Sequence, residues 1–209
     1  MELEVLLSFL GAAMLLTIMP GPDNIFVLTE SMTKGYRNGI AVSIGLCCGI
    51  LIHTIAATTG VSIIIQKSAM AFAVLKYMGA AYLFYLAYQS LREKKPTIHL
   101  EAKEGKGENG FWRLLRKGLL MNVLNPKVVL FFMALLPQFV VQNSLPVGWQ
   151  MMVLGAVFMV QALVIFSLIS ILSGRLSTYL NNSQFWKVTK YSKVSVLGLL
   201  GLGLMLAKR

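Results

Sequence analysis

The side chains best suited to chemistry in this sequence are one carboxylate and one ammonium, each beside a proline in an apolar stretch. Asp23, the only aspartate, lies in TIMPGPDNIFVL (residues 17–28), and Lys127 lies in LLMNVLNPKVVLFFMALLPQF (residues 119–139). A buried carboxylate can receive a substrate ammonium or carry a proton, and a lysine can receive a carboxylate. The pair is therefore typical of a site for a zwitterion.

Prolines interrupt both apolar stretches. Proline lacks an N–H, and its ring clashes with the carbonyl four residues earlier, so each proline frees one carbonyl of a helix. The prolines are Pro20, Pro22 and Pro126, and the freed carbonyls are those of Leu16, Ile18 and Asn122. In lipid, free carbonyls persist only where protein or a wet cavity satisfies them. The breaks therefore favour a binding site, with a plain proline kink as the alternative.

The predicted substrate site combines residues of both breaks. An ammonium would bind Asp23 and the freed carbonyls, and a carboxylate would bind Lys127 and the N–H groups that follow Asn125, the predicted helix cap. The alternative is a structural Asp23–Lys127 ion pair, which would offset an insertion cost of about 2.5–3.5 kcal/mol per buried charge. The candidate substrate-binding residues are Pro20, Gly21, Pro22, Asp23, Asn24, Asn122, Asn125, Pro126 and Lys127.

Two further residue types with reactive side chains, histidine and cysteine, lie within the second predicted span. His53 is the other titratable group there, and with Asp23 it is a candidate proton relay; a hydrogen bond to a neighbouring helix is the alternative. Cys47 and Cys48 are adjacent and lack a Cys or His partner at ligand spacing, so they are expected to be small apolar fillers, with a soft-metal site as the alternative. No metal site and no cofactor is predicted.

The composition predicts that membrane-spanning helices position these side chains. Of the 209 residues, 56% are hydrophobic and only 13% are charged, with a mean hydropathy of +0.71. A bilayer core about 30 Å thick requires roughly 20 apolar residues per helix. The predicted spans are 3–28, 40–66, 69–91, 118–141, 147–173 and 194–207, the last requiring residues 188–193 for full length.

The distribution of charge predicts orientation. Fourteen of the 19 Lys and Arg lie in the first, third and fifth connections, four lie on the opposite side, and Lys127 lies within a span. This asymmetry is the positive-inside pattern, which places loop 92–117 in the cytoplasm and both termini outside. Glutamates and glycines interrupt the positive charge of that loop, so nucleic acid is not expected as a partner.

The loop also divides the chain into two sets of three spans, each opening with a broken helix. Because three is odd, a second half that resembles the first must insert upside down, as in many secondary transporters. We therefore predict an all-α membrane protein whose six transmembrane helices form a 3+3 inverted repeat with proline-broken first and fourth helices. The single domain, residues 1–209, comprises repeats 1–91 and 118–209 joined by loop 92–117.

Four segments together resemble the LysE/RhtB family of bacterial amino-acid exporters. They are PGPDNIFVL, GYRNGIAVSIGLCCG, LKYMGAAYLFYLAYQSLR and GLLMNVLNPKVVLFFMALLPQFV, which begin at residues 20, 35, 75 and 118. The resemblance covers nearly the whole chain, and PGPD combined with NPK and PQF carries most of its specificity. It implies a site at residues 20–24 and 125–127.

The resemblance further implies a multi-pass protein of the bacterial cell membrane that exports amino acids or close derivatives. It implies proton-driven transport and a homodimer. A permease for another small solute or a metal ion is the alternative. An enzyme is not expected, since one Asp and one intramembrane His supply neither paired carboxylates nor a nucleophile with its base.

Overall fold

The computed structural model describes residues 3–93, 110–141, 145–175 and 183–207. Within these ranges the chain forms helices and the turns between them, without strands. The principal helices are α1 (Leu3–Ile18), α2 (Pro22–Lys34), α3 (Tyr36–Ala56), α4 (Ser62–Lys67), α5 (Ala69–Arg92), α6 (Phe111–Val123), α7 (Pro126–Leu130), α8 (Val147–Ile171) and α9 (Ser183–Leu206). A π-helical turn, Ala57–Val61, joins α3 to α4; a second, Phe131–Leu135, and a 3₁₀ turn, Leu136–Phe139, extend α7.

Three of the described helical segments are long and apolar enough to cross a membrane: Tyr36–Val61, α5 and α8. Two bent pairs also qualify when each pair is taken as one span, which raises the number to five. The bends are 59° between α1 and α2 and 52° between α6 and the segment Pro126–Phe139. Both breaks fall at the prolines that the sequence indicates. The described residues are helical apart from turns, and their apolar helices are those of a multi-pass membrane protein.

Three helix boundaries differ from the hydropathy-based expectation. α2 continues to Lys34 rather than ending at Leu28, and α6 begins at Phe111, inside the predicted loop 92–117. α9 begins at Ser183 and is therefore longer than the predicted apolar span 194–207. The added turns carry Lys and Arg side chains, which a helix tolerates on a polar face but which lower the mean hydropathy of a window.

α3 lies at the centre of the fold, packed against α2, α6 and α8, while α5 packs mainly against α9. The contact of α3 with α6 depends on two glycines. A Cβ atom at Gly45 would collide with the backbone carbonyl of Leu115, and one at Gly118 would collide with the carbonyl of Val42. Small residues allow membrane helices to approach this closely. Gly45 therefore serves packing within the chain.

An aromatic cluster holds the turn that follows α7. Phe131 and Phe132 of that turn lie against Phe158 of α8, with ring centroids 5.0 and 5.3 Å apart. Phe131 also contacts Phe9 of α1, at 5.8 Å. All four rings are buried. The cluster therefore ties the segment after Lys127 to both α1 and α8.

Candidate substrate site at the two helix breaks

The first break is closed by the side chain of Asn24. Its Nδ2 donates to the carbonyl oxygens of Thr17, Ile18 and Met19 at 2.9, 3.1 and 3.2 Å. These carbonyls lie at the end of α1, where helical partners are missing. Pro22 begins α2 as the sequence predicts, with the buried Gly21 as its cap.

The second break is capped by Asn125. Its Oδ1 accepts from the backbone N–H of Lys127 at 3.0 Å, at the start of α7, as the sequence predicts. One turn earlier, Nε2 of His53 lies 3.2 Å from the carbonyl oxygen of Asn122. His53, on α3, thus contacts α6 across a helix interface.

Two side-chain hydrogen bonds join the breaks directly. Nδ2 of Asn125 donates to Oδ2 of Asp23 at 2.6 Å, and Nζ of Lys127 donates to the carbonyl oxygen of Leu16 at 3.0 Å. Gly21 lies beside the same ammonium, since a Cβ there would be 3.6 Å from Nζ of Lys127. The structure therefore brings the two breaks, a hundred positions apart in sequence, into one cluster.

Asp23 and Lys127 do not form the direct ion pair that was the structural alternative. Their charged groups, both described, are not within ion-pair distance. Asn125 lies between them, with its amide nitrogen on the carboxylate and its amide oxygen on the Lys127 backbone. The ammonium is directed instead at the end of α1. Each charge thus keeps a separate partner.

Every carbonyl that a proline frees has a side-chain donor or ring nitrogen beside it. Lys127 reaches the carbonyl of Leu16, Asn24 that of Ile18, and His53 that of Asn122. A carbonyl left unpaired in lipid is costly, so these side chains stabilise the unwound backbone. Three of the predicted polar residues therefore have a structural role in this conformation.

The cluster also contains hydrogen-bond acceptors without a partner among the described residues. Asp23 is 3% exposed and Asn122 2% exposed, so their side chains are shielded. The unpaired buried oxygens in this region are Oδ1 of Asp23, Asn24 and Asn122 and Oε1 of Gln161. Because all four accept hydrogen bonds, a ligand that matches them must supply donors.

Three residues of this region were not among the candidates for the site: Thr17, Gly49 and Gln161. Nε2 of Gln161, on α8, donates to Oγ1 of Thr17 at 2.9 Å, and Thr17 in turn donates to the carbonyl of Ala13 at 2.9 Å. Thr17 is a polar residue about one helical turn before the first break, and this position could have marked it in the sequence as part of the region. Gly49 of α3 was also missed: a Cβ there would lie 2.6 Å from Oδ1 of Asn122.

The prolines of the two breaks are less buried than the polar residues beside them. Pro22 and Pro126 are exposed at the surface and Pro20 is half-buried, whereas Asp23, Asn24 and Asn125 are buried. The prolines therefore act through the backbone, by ending one helix and starting the next. Within the described ranges, no group of three His, Cys, Asp or Glu side chains is arranged to hold a metal ion.

Apolar helices, two bent helix pairs and a buried polar cluster between the bends define a multi-pass membrane protein of the transporter class. The chain belongs to the LysE type translocator family, whose family model matches residues 13–208. It is therefore a membrane exporter.

Curated relatives match over nearly their full length. An uncharacterised membrane protein of Vibrio cholerae is 30% identical over 99% of this chain and 98% of its own length. YrhP, an uncharacterised membrane protein of Bacillus subtilis, is 29% identical over 95% and 96%. A homoserine/homoserine lactone efflux protein of Salmonella typhimurium is 30% identical over 96% of both chains. No solved structure matches this chain.

Proposed function

We propose that this protein exports an amino acid or a close derivative from the bacterial cytoplasm, and that the substrate binds between the two helix breaks. The observation that carries the proposal is the direct link between the breaks, through Asn125 to Asp23 and Lys127 to Leu16. A small rearrangement of these bonds would release a carboxylate, an ammonium and backbone carbonyls at the same place. Those groups match both ends of a zwitterion.

The ammonium end of the substrate is the better supported one. The four unpaired oxygens in the cluster are acceptors, and Asp23 supplies a negative charge among them. A primary ammonium offers three donors and a positive charge. Homoserine and homoserine lactone, named for the relative from Salmonella typhimurium, share an amine, whereas only homoserine has a free carboxylate. We infer that the amine is the group common to the substrates.

The carboxylate end would bind at the start of α7. Lys127 would exchange the carbonyl of Leu16 for a substrate carboxylate, beside the N–H groups that Asn125 and the helix start present. With a substrate that has no carboxylate, the Lys127 ammonium would keep its hydrogen bond to the carbonyl oxygen of Leu16. Binding at this end would therefore separate amino acids from their lactones and from other small amines.

Proton coupling and the membrane arrangement complete the proposal. Asp23 would carry a proton when no substrate ammonium is bound, with His53 as relay, so that export is driven by the proton gradient. Six passes would form a 3+3 inverted repeat in one domain, with the site near the bilayer midplane and α9 as the sixth pass. The two bends of similar size support this arrangement. Two copies would form a homodimer, with both termini outside and loop 92–117 cytoplasmic.

Efflux from proteoliposomes tests the function. Vesicles are loaded with one radiolabelled compound at a time: homoserine, homoserine lactone, threonine, lysine or a carboxylic acid that lacks the amine. Efflux of at least one amine, dependent on an imposed pH gradient and abolished by an uncoupler, is the expected result. Efflux of the amine-free acid at the same rate would rule out ammonium recognition, and transport of a divalent cation would favour the permease alternative.

A further inference from the structure

A second carboxylate lies on the buried face of α2, away from the helix breaks. Glu30 follows Asp23 by seven residues, which is two helical turns or roughly 10 Å along the axis. Asp23, Val27 and Glu30 are all buried on this face. Glu30 is 9% exposed although α2 continues for four further residues. The helix therefore carries one acid at each end of its buried face.

The counter-ion of Glu30 comes from the outer end of the same helix. Nζ of Lys34 lies 3.1 Å from Oε2 of Glu30, with 37% of the lysine side chain exposed and 11% of the glutamate side chain. The carboxylate is thus held inside the protein, and its partner reaches it from the surface. Solvent screens a partner that is partly exposed, so the lysine can leave more readily than a fully buried partner could.

Ser31, the residue after Glu30, lies at a polar and closely packed contact between helices. The hydroxyl groups of Ser31 on α2 and Ser170 on α8 meet beside Gly39 of α3, where a Cβ atom would collide with Ser31. Each hydroxyl donates within its own helix, at 2.7 Å to the carbonyl of Val27 and at 3.0 Å to that of Phe166. Three helices therefore meet at Ser31, one residue after Glu30, without a large side chain between them.

We propose that Glu30 is the entry group for the substrate ammonium on the cytoplasmic side, and that Lys34 occupies its carboxylate until substrate arrives. Burying a carboxylate inside the protein costs free energy, which calls for a function. The end of α2 lies on the basic, cytoplasmic side under the positive-inside rule. From Glu30 the substrate would move along the same face of α2 to Asp23. The inference rests on the proposed function, because it requires export of an amine.

Two substitutions distinguish entry from a purely structural ion pair, since they have opposite effects under the proposal. Glu30→Gln removes the ammonium-binding charge and should raise the KM for internal substrate roughly tenfold, the size of one charge-assisted hydrogen bond, with kcat little changed. Lys34→Gln removes the competitor and should lower KM. If the pair only stabilises α2, both variants change KM in the same direction or leave it unchanged, and the proposal is wrong.

Controls separate folding and transport from entry. Glu4→Gln makes the same chemical change at an exposed position of α1 and should leave KM unaltered. Glu30→Asp keeps the charge and should retain a KM closer to that of the unaltered protein than Glu30→Gln does. Monodisperse elution in detergent shows that each variant is folded. Absence of amine efflux from the unaltered protein would refute the proposed function itself, whereas efflux with equal KM in all variants would refute only the role of Glu30.

Discussion

At the scale of single residues, Asn125 determines the geometry of the site. Its amide nitrogen binds Asp23 at 2.6 Å, and its amide oxygen caps the helix that starts beside Lys127. One side chain therefore joins the carboxylate of the first break to the backbone of the second. This bridge allows Asp23 and Lys127 to lie in one cluster without pairing directly with each other.

Asp23→Asn should abolish most transport without unfolding the protein. The replacement amide retains an acceptor for Asn125 and nearly the same shape, but it loses the charge that would bind an ammonium. Proteoliposome efflux should fall at least roughly tenfold, while the thermal unfolding midpoint in detergent changes little. Glu4→Gln is the matched control. Efflux equal to that of the unaltered protein would remove Asp23 from the mechanism.

Asn24→Asp should destabilise the protein more than Asn24→Ala. The amide nitrogen donates to three carbonyl oxygens, and a carboxylate would place negative oxygens against all three. The helix dipole by itself favours an acid in the first turn of α2, and would make the Asp variant the more stable of the two. The expected order of stability is the opposite, because of the three carbonyl oxygens. Denaturation in mixed micelles measures both variants. Greater stability of the Asp variant would mean that Asn24 does not close the break.

Lys127→Met should cost stability as well as transport, because the carbonyl of Leu16 then lacks its donor. Interhelical hydrogen bonds in membranes contribute about 0.6–2 kcal/mol, so a loss of that order is expected in the same unfolding measurement. The double variant with Asp23→Asn tests the geometry. Because the two side chains are not in direct contact, their effects on stability should be closer to additive than for an ion pair.

At the scale of helices, the broken pairs are held in place by unbroken ones. α3 contacts both α2 and α6, and α8 contacts α1 and α2. In the contact between α3 and α6, Gly45 and Gly118 leave no room for a Cβ atom against the facing backbone. Asn122 lies near the end of α6, and Asn125 follows two residues after that end. The packing of α6 against α3 therefore helps to position the second break relative to the first.

Gly118→Ala should therefore reduce stability, although alanine is the better helix former. The added methyl group would meet the backbone of α3 and separate the helices, an overpacking change that costs about 1–3 kcal/mol. Gly198→Ala in α9 is the control, because nothing lies within 4 Å of the Cβ position there. The control should be neutral or stabilising in the same assay. Equal effects at both positions would contradict the close contact of α3 with α6.

At the scale of the whole molecule, a labelling experiment can test the predicted orientation in the membrane. The basic residues concentrate in connections that should face the cytoplasm. In a variant lacking Cys47 and Cys48, Lys67→Cys should react with an impermeant maleimide in intact cells. Arg37→Cys should react only after the cells are permeabilised. The reverse pattern would invert the topology, and would place Glu30 at the exit rather than the entrance.

The amino-acid sequence by itself determined the helical class, the first five of the six predicted apolar spans and the position of both breaks. These follow from local chemistry: proline removes an N–H wherever it stands, and an apolar run of sufficient length avoids water in any fold. The cap formed by Asn125 and the start of α2 at Pro22 were predictable for the same reason. Helix ends in amphipathic turns, such as Phe111 and Lys34, were not, because hydropathy averages over both faces of a helix.

Only the tertiary structure decided which partner each polar group has. The sequence permitted a direct Asp23–Lys127 pair, but Lys127 reaches the carbonyl of Leu16 and Asn125 takes the carboxylate. Hydrogen bonds form over about 3 Å, so a choice between such partners depends on the distance between helices that are remote in sequence. The distance between these helices depends on the packing of α3 against α2 and α6 and of α8 against α1 and α2. Such contacts join residues far apart in the chain, so the sequence around each residue does not predict them.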